Sequence, residues 1–198
     1  KYQSFSANYN AFSIIFGSIK NNQFSLIKKT KNDYIIRTIS PNISLDRFYS
    51  KNNEAKLIGE LISLSNPKKD QLTIFLWPEG IIPDTSMKNI KTYEELFSNN
   101  FSSNHIIIMG LNNINNKEEH FNSLAVFDNK LNLLKSYDKV NLVPVGEYLP
   151  FEKILRLVGL KTVTNEYQSF SKGLKRKPLN IKNDKFDLNF LPLICYEI

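Results

Sequence analysis

The fold is decided by a short apolar run, Leu72-Thr73-Ile74-Phe75-Leu76-Trp77, which Pro78 ends just before Glu79. A strand that is apolar throughout, without alternation, is typical of a sheet that is covered on both faces. Proline lacks the N–H that a central strand needs, so it stops the strand at that point. The run therefore places Glu79 at the carboxyl end of a buried strand, where sites collect in α/β sheets.

Further strands and helices are predicted on both sides of this run. Tyr34–Ile39 and His105–Leu111 have the apolar, β-branched composition of strands. Leucine and isoleucine recur at helical spacing between Asp46 and Ser65, which predicts an amphipathic helix. The Ser/Thr-x-x-Glu pattern at Thr92–Glu95 predicts a capped helix start. Another short helix is predicted at Phe151–Val158, with a glycine after it.

Two hairpins complete the pattern. The first hairpin has its arms at Phe121–Phe127 and Leu131–Tyr137, with a turn sequence between them. The second has its arms at Pro178–Ile181 and Phe186–Ile194, again with a turn sequence between them. The second arm of the later hairpin is expected to bring Cys195 to a strand end. Strands that alternate with helices, together with two hairpins, indicate a mixed α/β fold with a largely buried sheet.

Composition limits the function classes. The 198 residues are 41% hydrophobic and 23% charged, which fits one globular domain or part of a larger one and excludes wholesale disorder. The net charge of +7 comes from lysines scattered among asparagine and isoleucine, so it does not indicate a nucleic-acid-binding face. The densest basic cluster, Lys172–Lys177, is either a solvated loop or a contact for phosphate or a lipid headgroup.

The single cysteine, Cys195, excludes an internal disulfide and a cysteine-cluster metal site. His105 and His120 lack metal-ligand spacing, and His105 is predicted to be a strand-end residue. No apolar run approaches the length that spans a bilayer, and no signal peptide is recognisable. The opening at Lys1 and the end at Ile198, three residues past the cysteine, lead us to expect an excerpt from a longer protein.

The stretch from Tyr137 to Pro150 carries a lysine and a glutamate on a segment that proline and glycine interrupt. Lys139 is predicted at a strand end and Glu147 on the loop behind it. A base such as Glu79 would activate the Cys195 thiol, and an ammonium would stabilise an oxyanion. Each residue also has a structural interpretation: the cysteine as a small core side chain, the glutamate as a turn carboxylate and the lysine as a surface charge.

Three motifs occur in a fixed order: Trp77-Pro78-Glu79, the Tyr137–Pro150 stretch, and Ile194-Cys195-Tyr196-Glu197. Together they resemble the nitrilase (carbon-nitrogen hydrolase) superfamily, and the lysine motif within it resembles apolipoprotein N-acyltransferase. The resemblance implies a nitrilase-like α-β-β-α sandwich that is incomplete at its C-terminus. Residues 33–198 would form the N-terminal part of that catalytic domain, and residues 1–32 would lead in from a missing transmembrane region.

The resemblance also implies roles for the site residues. Glu79 would be the general base, Lys139 the oxyanion stabiliser and Cys195 the acylated nucleophile. Glu147, Tyr196 and Glu197 would be accessory active-site residues. No metal or dissociable cofactor is implied.

The implied reaction moves a fatty acyl chain from a phospholipid, through a cysteine thioester, to the N-terminal amine of a diacylglyceryl-cysteine lipoprotein. The implied location is the bacterial inner membrane, reached through the missing transmembrane region, with the catalytic domain facing the periplasm. No nucleic-acid partner is implied. We expect the 198-residue chain alone to be inactive.

Two alternatives stay open from the sequence. A soluble carbon-nitrogen hydrolase would use the same triad on an amide or nitrile, with water as the acceptor. A non-catalytic basic domain would bind nucleic acid or anionic lipid and would tolerate loss of Cys195 or Glu79.

Overall fold

The computed structural model describes residues 4–5, 34–41, 54–148 and 169–197. The described strands are β1 (Ser4–Phe5), β2 (Ile35–Thr38), β3 (Thr73–Leu76), β4 (His105–Ile114), β5 (His120–Phe127), β6 (Leu133–Asp138), β7 (Leu179–Lys182) and β8 (Asp187–Phe190). The helices are α1 (Glu54–Ser65) and α2 (Glu94–Asn100), with 3-10 turns at Ile90–Tyr93 and Cys195–Glu197. Strands β1 to β6 form one sheet in that order, and β7 pairs with β8.

The centre of the sheet is parallel and its far side is antiparallel. β2 pairs in parallel with β3, and β3 with β4. Parallel neighbours need a crossover connection, and α1 and α2 supply these two crossovers. β5 and β6 then extend the sheet as antiparallel hairpins. The connections between neighbouring strands therefore change from helical crossovers to hairpins after β4.

Alternate residues of the central strands face two different cores. Phe75 and Ile107 pack with α1 and α2, whereas Ile74 and Ile106 pack with the β7–β8 hairpin. Because both faces are covered, the central strands need apolar side chains at every position. This explains why Leu72–Trp77 lacks polar alternation.

The layers of the described residues are helices, six-stranded sheet and β-hairpin. The predicted mixed α/β class is confirmed, with the α, β and β layers of the expected sandwich in place. The strands predicted around Ile35, Ile74 and Ile107 are confirmed within a few residues, as are both hairpins. The helix predicted at Phe151–Val158 lies outside the described residues, as do residues 42–53 and most of 1–32.

The short helix predicted at Thr92–Glu95 is confirmed as α2, but its predicted capping box is wrong. Thr92 lies inside the 3-10 turn Ile90–Tyr93, and its hydroxyl donates back to the carbonyl of Asn89 at 2.9 Å. Tyr93 is the residue that precedes α2, and it makes no side-chain capping bond. The 3-10 turn leads directly into the α-helix, so the threonine has a local backbone acceptor already.

Within the described ranges, no helix combines the length and apolar character needed to cross a bilayer.

Two glycines offer a matched test of how closely β4 approaches the turn at Glu79. A Cβ on Gly110 would lie 2.8 Å from the Cα of Glu79, whereas a Cβ on Gly59 of α1 would meet nothing within 4 Å. We expect Gly110→Ala to destabilise the fold by about 1–3 kcal/mol, because backbone must move to accept the methyl group. Gly59→Ala should be neutral or stabilising by up to about 1 kcal/mol. Denaturant unfolding of both variants checks this, and equal effects would contradict it.

His105 predicts a pH dependence of stability. Burial lowers the pKa of its imidazole, although the ring bonds to the Lys68 carbonyl at 2.9 Å. The folded state therefore holds a neutral ring where the unfolded chain takes up a proton near pH 6.5. The contribution is fully present above that pH and is lost as pH falls below it.

Wild-type stability should therefore fall from pH 7.5 to pH 5.5 more steeply than that of His105→Gln. Parallel slopes for wild type and His105→Gln in urea unfolding would contradict the prediction.

Candidate active site

Glu79 lies three residues after the end of β3, in the turn that Pro78 opens and Gly80 continues with a φ of 61°. Its side chain is 38% exposed, so the carboxylate reaches solvent from the end of a buried strand. The close approach of Gly110 on the neighbouring strand holds the backbone of this turn against the sheet. The predicted position at a strand end is confirmed.

Lys139 follows β6 directly, and its side chain is only 1% exposed. Its Nζ donates to Oε1 of Glu147 at 2.9 Å and lies 3.9 Å from Oε1 of Glu79. An isolated buried ammonium is costly, and these two carboxylates offset that cost. The structure thus brings together three of the predicted site residues, Glu79, Lys139 and Glu147. Because Lys139 is buried, the alternative interpretation of it as a surface charge is wrong.

The backbone of Lys139 is fixed as firmly as its side chain. Its N–H donates to the carbonyl of Asn122 at 2.8 Å, and its carbonyl accepts from the N–H of Gly173 at 2.8 Å. A Cβ on Gly173 would lie 2.1 Å from the carbonyl oxygen of Asp138, so only glycine fits there.

Glu147 is 8% exposed and is held by a tight loop. Its N–H donates to the Val143 carbonyl at 2.9 Å, and its Oε2 accepts from the Val143 N–H at 2.8 Å. Val145, between them, has a φ of 67°. The loop closes on itself through this carboxylate, which leaves Oε1 directed at Lys139.

Asn122, on β5, also belongs to this group. Its side-chain amide donates to Oε1 of Glu79 at 2.6 Å and to Oε1 of Glu147 at 2.8 Å. We did not single it out from the sequence. The signal in the sequence is an amide side chain in a strand that is otherwise largely apolar. The structure places it opposite a second amide, Asn112, on β4.

A cavity of about 290 Å³ opens beside Glu79. Its lining combines apolar side chains with the two carboxylates and two amides. The described lining residues are Glu79, Gly80, Ile82, Pro83, Gly110, Leu111, Asn112, Asn122, Glu147 and Phe170. A mostly apolar cavity with a few convergent polar groups is typical of a small-molecule site.

Cys195 is placed differently from the prediction. β8 ends at Phe190, and Pro192 follows, so the thiol is not at a strand end but in the exposed turn Cys195–Glu197. Its φ of 51° is a left-handed conformation. Among the described residues, no hydrogen bond or ion pair joins Cys195 to Glu79 or Lys139, and the cysteine does not line the cavity.

Glu197 links the cysteine turn (Cys195–Glu197) to the lysine segment (Lys139–Asn141). This carboxylate is 3% exposed and accepts from the N–H groups of Val140 at 2.8 Å and Ile194 at 3.1 Å. These are the residue after Lys139 and the residue before Cys195. It also accepts from the Asn141 N–H at 2.9 Å and forms an ion pair with Arg176 at 3.3 Å.

Tyr137 completes the surroundings of Glu197, since its hydroxyl donates to Oε1 of Glu197 at 2.8 Å. Burial alone would raise the pKa of Glu197, but the hydrogen bonds from Asn141, Tyr137, Ile194 and Val140 together hold the pKa below its ordinary value. The carboxylate is therefore ionised, and both of its oxygens accept hydrogen bonds. Tyr196, by contrast, is 79% exposed.

Within the described part of the chain, no group of three or more His, Cys, Asp or Glu side chains is arranged to hold a metal ion. The chemistry available to the described residues is proton transfer by a partly exposed carboxylate and charge stabilisation by a buried ammonium.

Comparisons with known proteins point to one family. Apolipoprotein N-acyltransferase of Agrobacterium fabrum (strain C58) is 30% identical over 172 residues, which are 82% of this chain and 32% of that protein. The protein of the same name from Brucella suis biovar 1 is 27% identical over 171 residues, and that from Rhizobium leguminosarum bv. trifolii is 30% identical over 176 residues. The chain spans about a third of the length of these curated relatives.

Among solved structures, an amidase from Nesterenkonia sp. aligns with 78% of this chain and 53% of its own, at a TM-score of 0.43 and 15% identity. A crystal structure of N-terminal amidase aligns with 79% of this chain and 37% of its own, at a TM-score of 0.39 and 13% identity. No protein-family model matches the chain. The curated relatives confirm the resemblance inferred from the three motifs: this chain is homologous to a segment of the apolipoprotein N-acyltransferases.

Proposed function

We propose that this chain forms part of a carbon-nitrogen-hydrolase-type acyltransferase that N-acylates lipoproteins. The observation that carries the proposal is the buried Lys139, held between Glu79 and Glu147 in a chain whose curated relatives are named apolipoprotein N-acyltransferase. The acyl donor is a phospholipid, and the acceptor is the N-terminal amine of a diacylglyceryl-cysteine lipoprotein. The complete protein lies in the bacterial inner membrane with this part facing the periplasm.

The first half-reaction forms a thioester. Glu79 takes the proton from the Cys195 thiol, and the sulfur attacks the ester carbonyl of the phospholipid. The new C–S bond forms, the C–O bond to glycerol breaks, and Glu79 returns the proton to the departing alkoxide. Lys139 stabilises the oxyanion, a role in which one donor contributes about 3–4 kcal/mol.

The second half-reaction uses the same groups in reverse order. The lipoprotein amine attacks the thioester carbonyl, the C–N bond forms, and the C–S bond breaks. The proton that the amine loses passes through Glu79 to the sulfur. Glu147 keeps the ammonium of Lys139 in place through both steps, which its 2.9 Å contact supports.

The proposal requires the thiol to reach the carboxylate and the ammonium. The contacts of Glu197 support this, because they join the residues that flank Lys139 and Cys195. We therefore assign Glu197 a positioning role, in which a buried anion fixes the cysteine turn to the lysine segment. The exposure of Cys195 is compatible with a nucleophile that must meet a large lipid substrate.

Substitution of the three proposed catalytic residues tests the function. Cys195→Ala should abolish N-acylation, and Glu79→Gln and Lys139→Met should each lower kcat by about 10²-fold or more. The measurement is the mass increase of a diacylglyceryl lipoprotein treated with the complete gene product. Wild type should also form a hydroxylamine-sensitive acyl adduct on Cys195.

Glu118→Gln and Lys117→Met provide the matched controls, since both residues are exposed on the turn between β4 and β5. They should leave the rate unchanged. An active Cys195→Ala variant would exclude the thioester route. Ammonia release from amides, with no transfer to the lipoprotein, would favour the hydrolase alternative.

The role of Glu197 predicts a graded series. Glu197→Ala leaves several backbone N–H groups without an acceptor and should lower kcat more than tenfold with little change in KM, because the cysteine turn loses its alignment. Glu197→Gln retains an acceptor oxygen and should recover part of that loss. Tyr137→Phe removes a single donor and should cost less than tenfold.

Asp187→Ala is the control for this series, since it removes an exposed acid from β8. Its kcat should equal that of the wild type. If Glu197→Ala lowers only the amount of folded protein while kcat per folded molecule is unchanged, the positioning role is wrong.

A further inference from the structure

We propose that Asn122 is a positioning residue for the base of the acyl transfer, a role that rests on the function proposed above. The side-chain amide of Asn122 donates to Oε1 of Glu79 and to Oε1 of Glu147, at 2.6 and 2.8 Å. An amide NH2 has two donors, and here each carboxylate takes one of them. A single neutral group thus connects the proposed base to the carboxylate that holds Lys139.

The position of Asn122 is rigid. It lies on β5, whose pairing with β4 is continuous from Phe127 to His120, and it faces Asn112 in that register. Its next neighbour, Ser123, is fully buried. The backbone carbonyl of Asn122 also accepts the N–H of Lys139 at 2.8 Å. Asn122 therefore fixes both the backbone of Lys139 and the side-chain carboxylates of Glu79 and Glu147.

The charges of the cluster explain why an amide is suited to this place. Glu79 and Glu147 are two negative groups that share one ammonium, so the cluster carries an excess of negative charge when all three are ionised. Like charges in contact disfavour ionisation, whereas a hydrogen bond to the charged form favours it. Asn122 supplies such bonds without adding charge.

The amide also fixes the direction of the base. It occupies Oε1 of Glu79, and among the described contacts no protein group occupies Oε2. The side chain of Glu79 lines the cavity, so Oε2 is the oxygen that is left for a reacting group. We infer that Asn122 holds the carboxylate of Glu79 in one orientation and selects which of its oxygens moves the proton.

Two variants remove this function in different ways. Asn122→Leu keeps a similar volume and loses both donors. Asn122→Asp keeps the shape and replaces the donors with a third carboxylate, so it yields the same comparison if the leucine variant folds poorly. Asn113→Leu is the matched control, because Asn113 lies on the adjacent strand and donates to Asp138 at 3.2 Å rather than to a site glutamate.

The experiment follows the complete gene product with two measurements. The first is the 13C carboxylate chemical shift of Glu79 at a fixed pH, assigned by its loss in Glu79→Gln. This signal should move in both Asn122 variants, because the hydrogen bond to Oε1 is lost, and stay at the wild-type position in Asn113→Leu. An unmoved Glu79 signal in the Asn122 variants would overturn the inference, whether or not the protein turns over substrate.

The second measurement is the steady-state rate of lipoprotein N-acylation. For the folded Asn122 variants, kcat should fall about tenfold or more with KM within about twofold, because the base loses its alignment. A wild type without acyl transfer would sink the proposed function, while the Glu79 signal would still decide the role of Asn122. A fall in folded protein alone, with both the Glu79 signal and kcat per folded molecule unchanged, would show that Asn122 is structural.

Discussion

A buried ammonium group must be paired, and in this protein that requirement organises the site around Lys139. The effective cost of burying an ion is several kcal/mol, and close carboxylates are the usual means of offsetting it. Glu147 meets the lysine at 2.9 Å, and Glu79 approaches to 3.9 Å from a different strand end. The strand ends, the loop around Glu147 and the amide of Asn122 converge on this one charge.

The sheet explains how residues so distant in sequence meet. The parallel strands β3 and β4 end at the same edge, which carries Glu79 and the cavity. β5 and β6 then run antiparallel, and β6 ends by delivering Lys139 beside Asn122 of β5. The change from parallel to antiparallel pairing therefore sets the site, because it brings the end of β6 to the edge where β3 ends.

A second buried charge has a different purpose. Glu197 is enclosed by donors from the lysine segment, the cysteine turn and Arg176, and its carboxylate is fully used in holding them. It sits two residues from the thiol but performs no proton transfer in the proposed reaction. The protein thus separates the two carboxylates that share the lysine, Glu79 and Glu147, from Glu197, the carboxylate that fixes the position of the cysteine turn.

The sequence by itself determined the mixed α/β class, the central strands, the hairpins and the strand-end positions of Glu79 and Lys139. These follow from local properties: apolar runs, turn residues and prolines act over a few positions, so they are visible in a linear chain. The three motifs also indicated a resemblance to the apolipoprotein N-acyltransferases, which the curated relatives confirm. The catalytic roles of Glu79, Lys139 and Cys195 stay predictions.

Only the tertiary structure decided which polar groups share a site. Asn122 meets Glu79 across 43 positions of sequence, and Glu197 meets Val140 across 57. Such contacts depend on strand register and on the path of loops, which no local pattern specifies. For the same reason the exposed turn of Cys195 differs from the predicted strand end: Pro192 interrupts the strand, and the carboxylate of Glu197 fixes the turn through donors that lie far away in the chain.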